Sequence, residues 1–322
     1  MRRFPARLAG TLLAAAALTL TACTGADSGG SEGGGGGDGV VNVVASTDVY
    51  GSILSTVGGG NVEVTALIDR PSQDPHSYEA TARDRLAVSN ADLIVLNGGG
   101  YDSFLEKLAA DEGIASENIL NAVEISGLEE HGSDAENESG GSHDGHNHGS
   151  FNEHVWYSPE AMGLLAEAAA ERLAELDTEA ADGFRANAAE FNSGIEEITA
   201  SLDGLRGTAA GRNVALTEPV PDYLVEAAGL HNATPADFTE AVEEGSDVPP
   251  QVLKEMEDLV TGGSIVFLGY NEQTSTSQTE TVRKAAEDAG VPVLDFSETL
   301  PEGQDYLQWM TENTAAIEGV LQ

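Results

Sequence analysis

The sequence predicts an α/β protein: two doubly wound α/β lobes joined by one long helix, with the ligand site in the cleft. Three observations carry that prediction. Short apolar runs of strand length alternate with helix-period segments, once in each half of the chain, which is the pattern of parallel sheets covered by helices. A helical stretch of about 28 residues separates the halves, and at 1.5 Å per residue it would run about 40 Å, the height of a small domain. The chain beyond its N-terminal leader is about 300 residues, which suits two domains.

Each element follows from local pattern. Residues 40–46 (VVNVVAS) read as a buried first strand, 49–57 as the helix after it and 62–68 (VEVTALI) as a second strand. Residues 84–89 are helical, 91–97 (ADLIVLN) form a third strand ending in three glycines, and 104–110 are helical again. Residues 127–150 break the pattern: Gly, Ser and acids dominate, apolar periodicity is missing, and the stretch reads as a loop. Pro159 opens a long helical region. Its second part, 178–205, places Phe184, Ala188, Phe191, Ile195, Ile198 and Leu202 at helical spacings of three and four. A second α/β unit follows, with strands at 213–217, 264–268 and 291–294 and helices at 223–228, 279–289 and 307–321. The organisation is therefore a leader at 1–22, a tether at 23–39, a first lobe at 40–177, a linking helix at 178–207 and a second lobe at 208–322.

The leader fixes the expected location. Arg2, Arg3 and Arg7 precede an apolar run at 8–20, too short for a bilayer span of roughly 20 residues, so it reads as a secretory signal. It ends in Leu20-Thr21-Ala22-Cys23, which resembles the lipobox of bacterial lipoproteins and implies acylation of Cys23 after cleavage before it. Cys23 is the only cysteine, so no disulfide within the chain is possible. The Gly- and Ser-rich residues 24–39 would tether the folded part to the outer face of the membrane.

Charge excludes one class of partner. The chain has 14 basic and 55 acidic residues; without the three arginines of the leader, which has no acids, 11 face 55. Such a surface argues against nucleic acid, whose phosphates need basic partners. It concentrates cations near the surface, although acids spread along the whole chain also serve solubility.

The histidines point to chemistry. Five of the seven fall between His131 and His154. His76 stands in Asp74-Pro75-His76-Ser77-Tyr78-Glu79, and His154 in Asn152-Glu153-His154-Val155-Trp156-Tyr157-Ser158-Pro159. Both follow turn-forming residues, so both can present imidazole from a loop; imidazole binds borderline ions such as zinc, and carboxylates can complete the set. With the long linking helix, these two motifs resemble the zinc/manganese-binding solute receptors of ABC importers over roughly residues 40–322. Glu153 departs from that family, which commonly has proline there.

The resemblance implies one ligand from each of four loops. His76 and His154 match the two of the first lobe. The third lies some eleven residues before a Gly-hydrophobic pair, here Gly229-Leu230, which points to Glu218. The fourth is a carboxylate after the last strand, Glu298, with Asp295 as the substitute. His231 reads as an ordinary helix-end residue. His143, His146 and His148 form a His-rich loop, a weak auxiliary metal site. The implied cargo is Zn2+, with Mn2+ as the alternative, and the implied partner is an ABC permease; the receptor is expected to be a lipid-anchored, extracytoplasmic monomer. An enzyme is not expected, since neither a His-Glu-x-x-His helix nor a Gly-x-Ser-x-Gly elbow occurs. The alternatives are a metal-dependent hydrolase and an adhesion lipoprotein.

Overall fold

The computed structural model describes residues 40–70, 73, 78–129 and 151–322. The leader, the tether and the His-rich part of the loop lie outside the described residues, as do Cys23, His76, His143, His146 and His148.

The first lobe runs β1 (Val41–Thr47), α1 (Asp48–Gly58), β2 (Val62–Ile68), α2 (Ala82–Ser89), β3 (Leu93–Leu96), α3 (Ser103–Glu112), β4 (Ile119–Asn121) and α4 (Ala122–Ser126). After a single turn at Val155–Tyr157 come α5 (Pro159–Leu176) and α6 (Ala181–Ala209). The second lobe runs β5 (Asn213–Leu216), α7 (Asp222–Ala227), β6 (His231–Asn232), α8 (Ala236–Glu243), α9 (Pro250–Thr261), β7 (Ile265–Asn271), α10 (Ser277–Asp288), β8 (Val293–Phe296) and α11 (Tyr306–Leu321). The two sheets have the orders β2-β1-β3-β4 and β6-β5-β7-β8. Every pairing is parallel.

Side-chain alternation makes the first sheet two-faced. Val41, Val43 and Ala45 of β1 and Leu93 and Val95 of β3 point into one core, while Val44, Ile94 and Leu96 point into another beneath α2 and α3. In the second sheet Val214, Leu216 and Phe267 face inward, and Ala215 and Leu268 face a separate core under α9 and α10. Both sheets are therefore covered on both faces, as the near-continuous apolar strands require.

The apolar stripe of α6 is buried as its spacing demands, from Phe184 through Leu202. It packs on α5, α1 and α11. The lobes share more than this helix. One continuous core includes Val43 of the first sheet, Trp156, Phe191 of α6, Phe296 of the second sheet and Trp309 of α11. The closing helix returns to the first lobe: the Tyr306 amide donates to Ser52 Oγ at 3.1 Å, and its hydroxyl donates to the Trp156 carbonyl at 2.8 Å. Each large side chain fully buried here contributes roughly 1.5–3 kcal/mol.

Five elements escape the pattern reading. β4, α4 and β6, of two to five residues, are too short to show a period. α8 and α9 fill residues assigned to no element, although Pro249-Pro250 marks a helix start and Met256 and Val260 are buried four residues apart. The strand expected at 264–268 continues to Asn271, because β8 pairs with it out to Asn271 opposite Phe296. That extension carries a polar side chain to the carboxyl end of the sheet, where ligand sites of such sheets lie. His231, read as a helix-end residue, is an exposed member of edge strand β6.

Candidate metal centre

Glu218 lies just past β5, Glu298 just past β8, and His154 opens the turn before α5. The first two come from the second lobe and the third from the first. All three are buried, at 3%, 0% and 1% exposure. A carboxylate removed from water needs hydrogen bonds or a cation, so the partners of these groups define the site.

One amide spans both acids. Asn271 Nδ2 donates to Glu218 Oε2 at 2.6 Å and to Glu298 Oε1 at 2.8 Å. Asn271 is itself held, its amide donating to Thr217 Oγ1 at 3.1 Å and its Oδ1 accepting from the Gln273 amide at 3.0 Å. The Thr274 hydroxyl also donates to Glu218 Oε2. On the far side, the Tyr101 hydroxyl donates to Glu298 Oε2 at 2.9 Å across the lobes. Burial, then the charge of Glu298, pushes the Tyr101 phenol well up, so it stays a donor.

The imidazole is oriented with equal care. His154 Nδ1 lies 2.7 Å from Asn152 Oδ1, which also accepts from the His154 amide at 3.1 Å. Asn152 Nδ2 donates to the Pro219 carbonyl at 2.9 Å, which fixes which end of that side chain is oxygen. Nδ1 must then carry a proton, and in the neutral ring it is Nε2 that keeps the lone pair a metal takes. Tyr223 closes the clamp by donating to the Asn152 carbonyl at 2.7 Å. Behind the ring stands Trp156, edge-on at 5.1 Å between centroids. From the first lobe, Asn97 Nδ2 donates to the Glu153 carbonyl at 3.0 Å, and buried Asp102 accepts from the amides of Asn97 and Gly98.

The two candidates for the fourth ligand separate by environment. Glu298 faces Asn271 and Tyr101 inside. Asp295 is exposed and lies 3.9 Å from Arg283 on the outside of the sheet. The described residues also hold a group that motif reading passed over: the carboxylates of Glu153 and Glu243 and a ring nitrogen of His154 lie within 4.8 Å of one another. Burial and the charges of Glu153, Glu218 and Glu298 push the Glu243 carboxyl up to about 8. Tyr101 and Asn271 had a weak sequence signal, since both stand at or just beyond strand ends. Glu243 had none, because its helix approaches His154 only through tertiary structure.

A neutral imidazole nitrogen and two carboxylates aligned by one amide suit a divalent cation of borderline or hard character. Comparison with known proteins agrees. The family model described as zinc-uptake complex component A, periplasmic, matches residues 43–320. The zinc-binding lipoprotein AdcA of Streptococcus pneumoniae is 24% identical over 290 residues, covering 87% of this chain and 56% of that protein. The manganese-binding lipoprotein MntA of Halalkalibacterium halodurans is 25% identical over 222 residues, covering 66% and 65%. The chain thus spans little more than half the length of the AdcA proteins it matches. Among solved structures, the periplasmic zinc-binding protein TroA of Treponema pallidum superposes with a TM-score of 0.69 at 18% identity, covering 88% of this chain and 99% of that one. That likeness shows the fold: two parallel-sheet lobes and a long helix.

Proposed function

The chain belongs to the family of periplasmic zinc-uptake complex component A, and from that premise we propose that it captures a divalent transition-metal ion outside the cytoplasm and delivers it to an ABC import permease. The observation that carries this reading is the single amide of Asn271 holding Glu218 and Glu298 together, with the His154 tautomer set from the opposite lobe. Two buried carboxylates side by side repel each other, and a cation turns that repulsion into attraction. His154, Glu218 and Glu298 are the proposed ligands, with His76 as the fourth from its motif.

Zinc is the proposed cargo, with manganese as the alternative. For a given N/O site the intrinsic affinity for zinc exceeds that for manganese, and relatives named for each metal exist. The ion would bridge the lobes and favour the closed arrangement. Because the lobes share a core and many hydrogen bonds, loop adjustment rather than a wide hinge accompanies capture. Acylation of Cys23 would hold the receptor beside its permease. The role is that of a carrier, with no bond made or broken in the cargo.

The test is competition titration of the metal-stripped mature chain with zinc and manganese. His154→Ala, Glu218→Gln and Glu298→Gln are each expected to weaken binding at least about 100-fold, while Asp295→Asn leaves it unchanged. Parent-strength binding in all three ligand variants would overturn the assignment.

A further inference from the structure

Glu243 ends α8 in the second lobe and is half-buried against the loop that carries His154 from the first. The charges that act on it come from Glu153, Glu218, Glu298 and Glu240, all of its own sign. The C-terminal end of a helix carries partial negative charge as well. A carboxylate placed at that end, among four other acids, is electrostatically costly in the absence of a cation. Glu153 belongs to the other lobe, as does the buried His154, and one ligand atom of each of the three residues lies within 4.8 Å of the others. Two carboxylates and an imidazole at that spacing are a three-ligand set for a divalent transition metal. The set shares His154 with the proposed site at Glu218 and Glu298 but uses different acids.

We propose that Glu153, Glu243 and His154 form an outer relay site, through which the ion passes to and from Glu218 and Glu298. The proposal rests on the reading of the chain as a metal receptor. Transfer is ligand exchange: oxygens of Glu243 and Glu153 leave the ion as oxygens of Glu218 and Glu298 arrive. The His154 nitrogen stays bound and the charge of the ion is unchanged. Sharing the imidazole spares the ion from becoming a fully hydrated species inside a buried cleft.

A relay lies on the path in both directions, so its loss slows arrival and departure alike. A resting ligand behaves differently, its loss mainly speeding departure. The experiment is stopped-flow mixing of the metal-stripped mature chain with zinc ion, followed by chelator-driven release. Tryptophan emission reports it, since the Trp156 ring lies 5.1 Å from that of His154. Glu243→Gln is expected to slow association and dissociation by about tenfold each, leaving the dissociation constant within about threefold of the parent. Glu153→Gln is expected to give the same paired slowing. Glu244→Gln makes the same substitution at the exposed next residue and is expected to leave both rates within about twofold.

Gln matches Glu in size and carries no charge among these acids, so metal-free Glu243→Gln is expected to melt at or above the parent temperature. If Glu243→Gln matches Glu244→Gln in both rates, or if it only quickens dissociation, the relay is overturned. A parent chain that binds neither zinc nor manganese would instead overturn the receptor reading itself.

Discussion

Asn271→Ala is the sharpest probe of the metal centre. The substitution deletes the one donor shared by two buried acids, at 2.6 and 2.8 Å. A hydrogen bond to a charged acceptor contributes about 1.5–3 kcal/mol net. The two acceptor oxygens share one nitrogen, so they lie roughly 5 Å apart or closer, where like charges repel by about 3 kcal/mol at an effective dielectric near 20. Without the amide, the metal-free chain is expected to lose about 3–5 kcal/mol, less what is recovered when one carboxyl takes up a proton. Metal affinity should fall as well, because the acids are no longer held in register. Partners that orient metal ligands are typically worth 10–100-fold, or about 1.4–2.7 kcal/mol. Urea unfolding with and without zinc measures the first effect, and the gap between the two curves should narrow by the second. A variant with parental stability and parental zinc affinity would refute the reasoning, since it would mean the amide does not bridge the acids.

Two further predictions test the surroundings of the site. Asp48 accepts from the Leu300 amide at 3.1 Å across the lobes, and burial outweighs that bond, raising its carboxyl from 3.8 to about 6. An acid that binds its proton more tightly in the folded chain makes stability fall as pH rises from about 4 through 6 and then level off; Asp48→Asn, which keeps the acceptor, should stabilise by up to about 2–3 kcal/mol at pH 7 and by nothing below pH 4, read from urea midpoints at both values. At Gly98 the backbone has φ +82°, and a Cβ would lie 2.3 Å from the Asn121 side chain, which caps α4 by accepting from the Glu124 amide. Gly98→Ala should therefore cost about 2–3 kcal/mol from left-handed strain and the disturbed cap, and thermal unfolding should show it.

Much of the fold was legible because its signals are local. Strand runs, the helix stripe from Phe184 to Leu202 and the glycines after β3 are properties of neighbouring residues. β4 and β6 were not legible, because two or three residues carry no period. α8 and α9 were passed over despite Pro249-Pro250, and the full length of β7 was missed because its end is polar. Gly269, Tyr270 and Asn271 are strand residues only because β5 and β8 flank them.

The same division runs through the site. His154 sits in a motif whose order in the chain announces it, and counting from Gly229-Leu230 leads to Glu218. For the fourth ligand the resemblance pointed to Glu298, with Asp295, three residues earlier, as the substitute. The tertiary structure distinguishes them, burying Glu298 against Asn271 and Tyr101 and turning Asp295 out toward Arg283.

By itself the sequence determined which residue types could ligate a cation, roughly where they fall along the chain, and that two parallel α/β lobes and a long helix would carry them. Only the tertiary structure decided which acid faces inward, which imidazole nitrogen donates to Asn152, and that Glu153 and Glu243 meet beside His154. The reason is physical. Periodicity and motif are written between near neighbours, whereas burial, tautomer and the approach of like charges depend on which distant segments pack together.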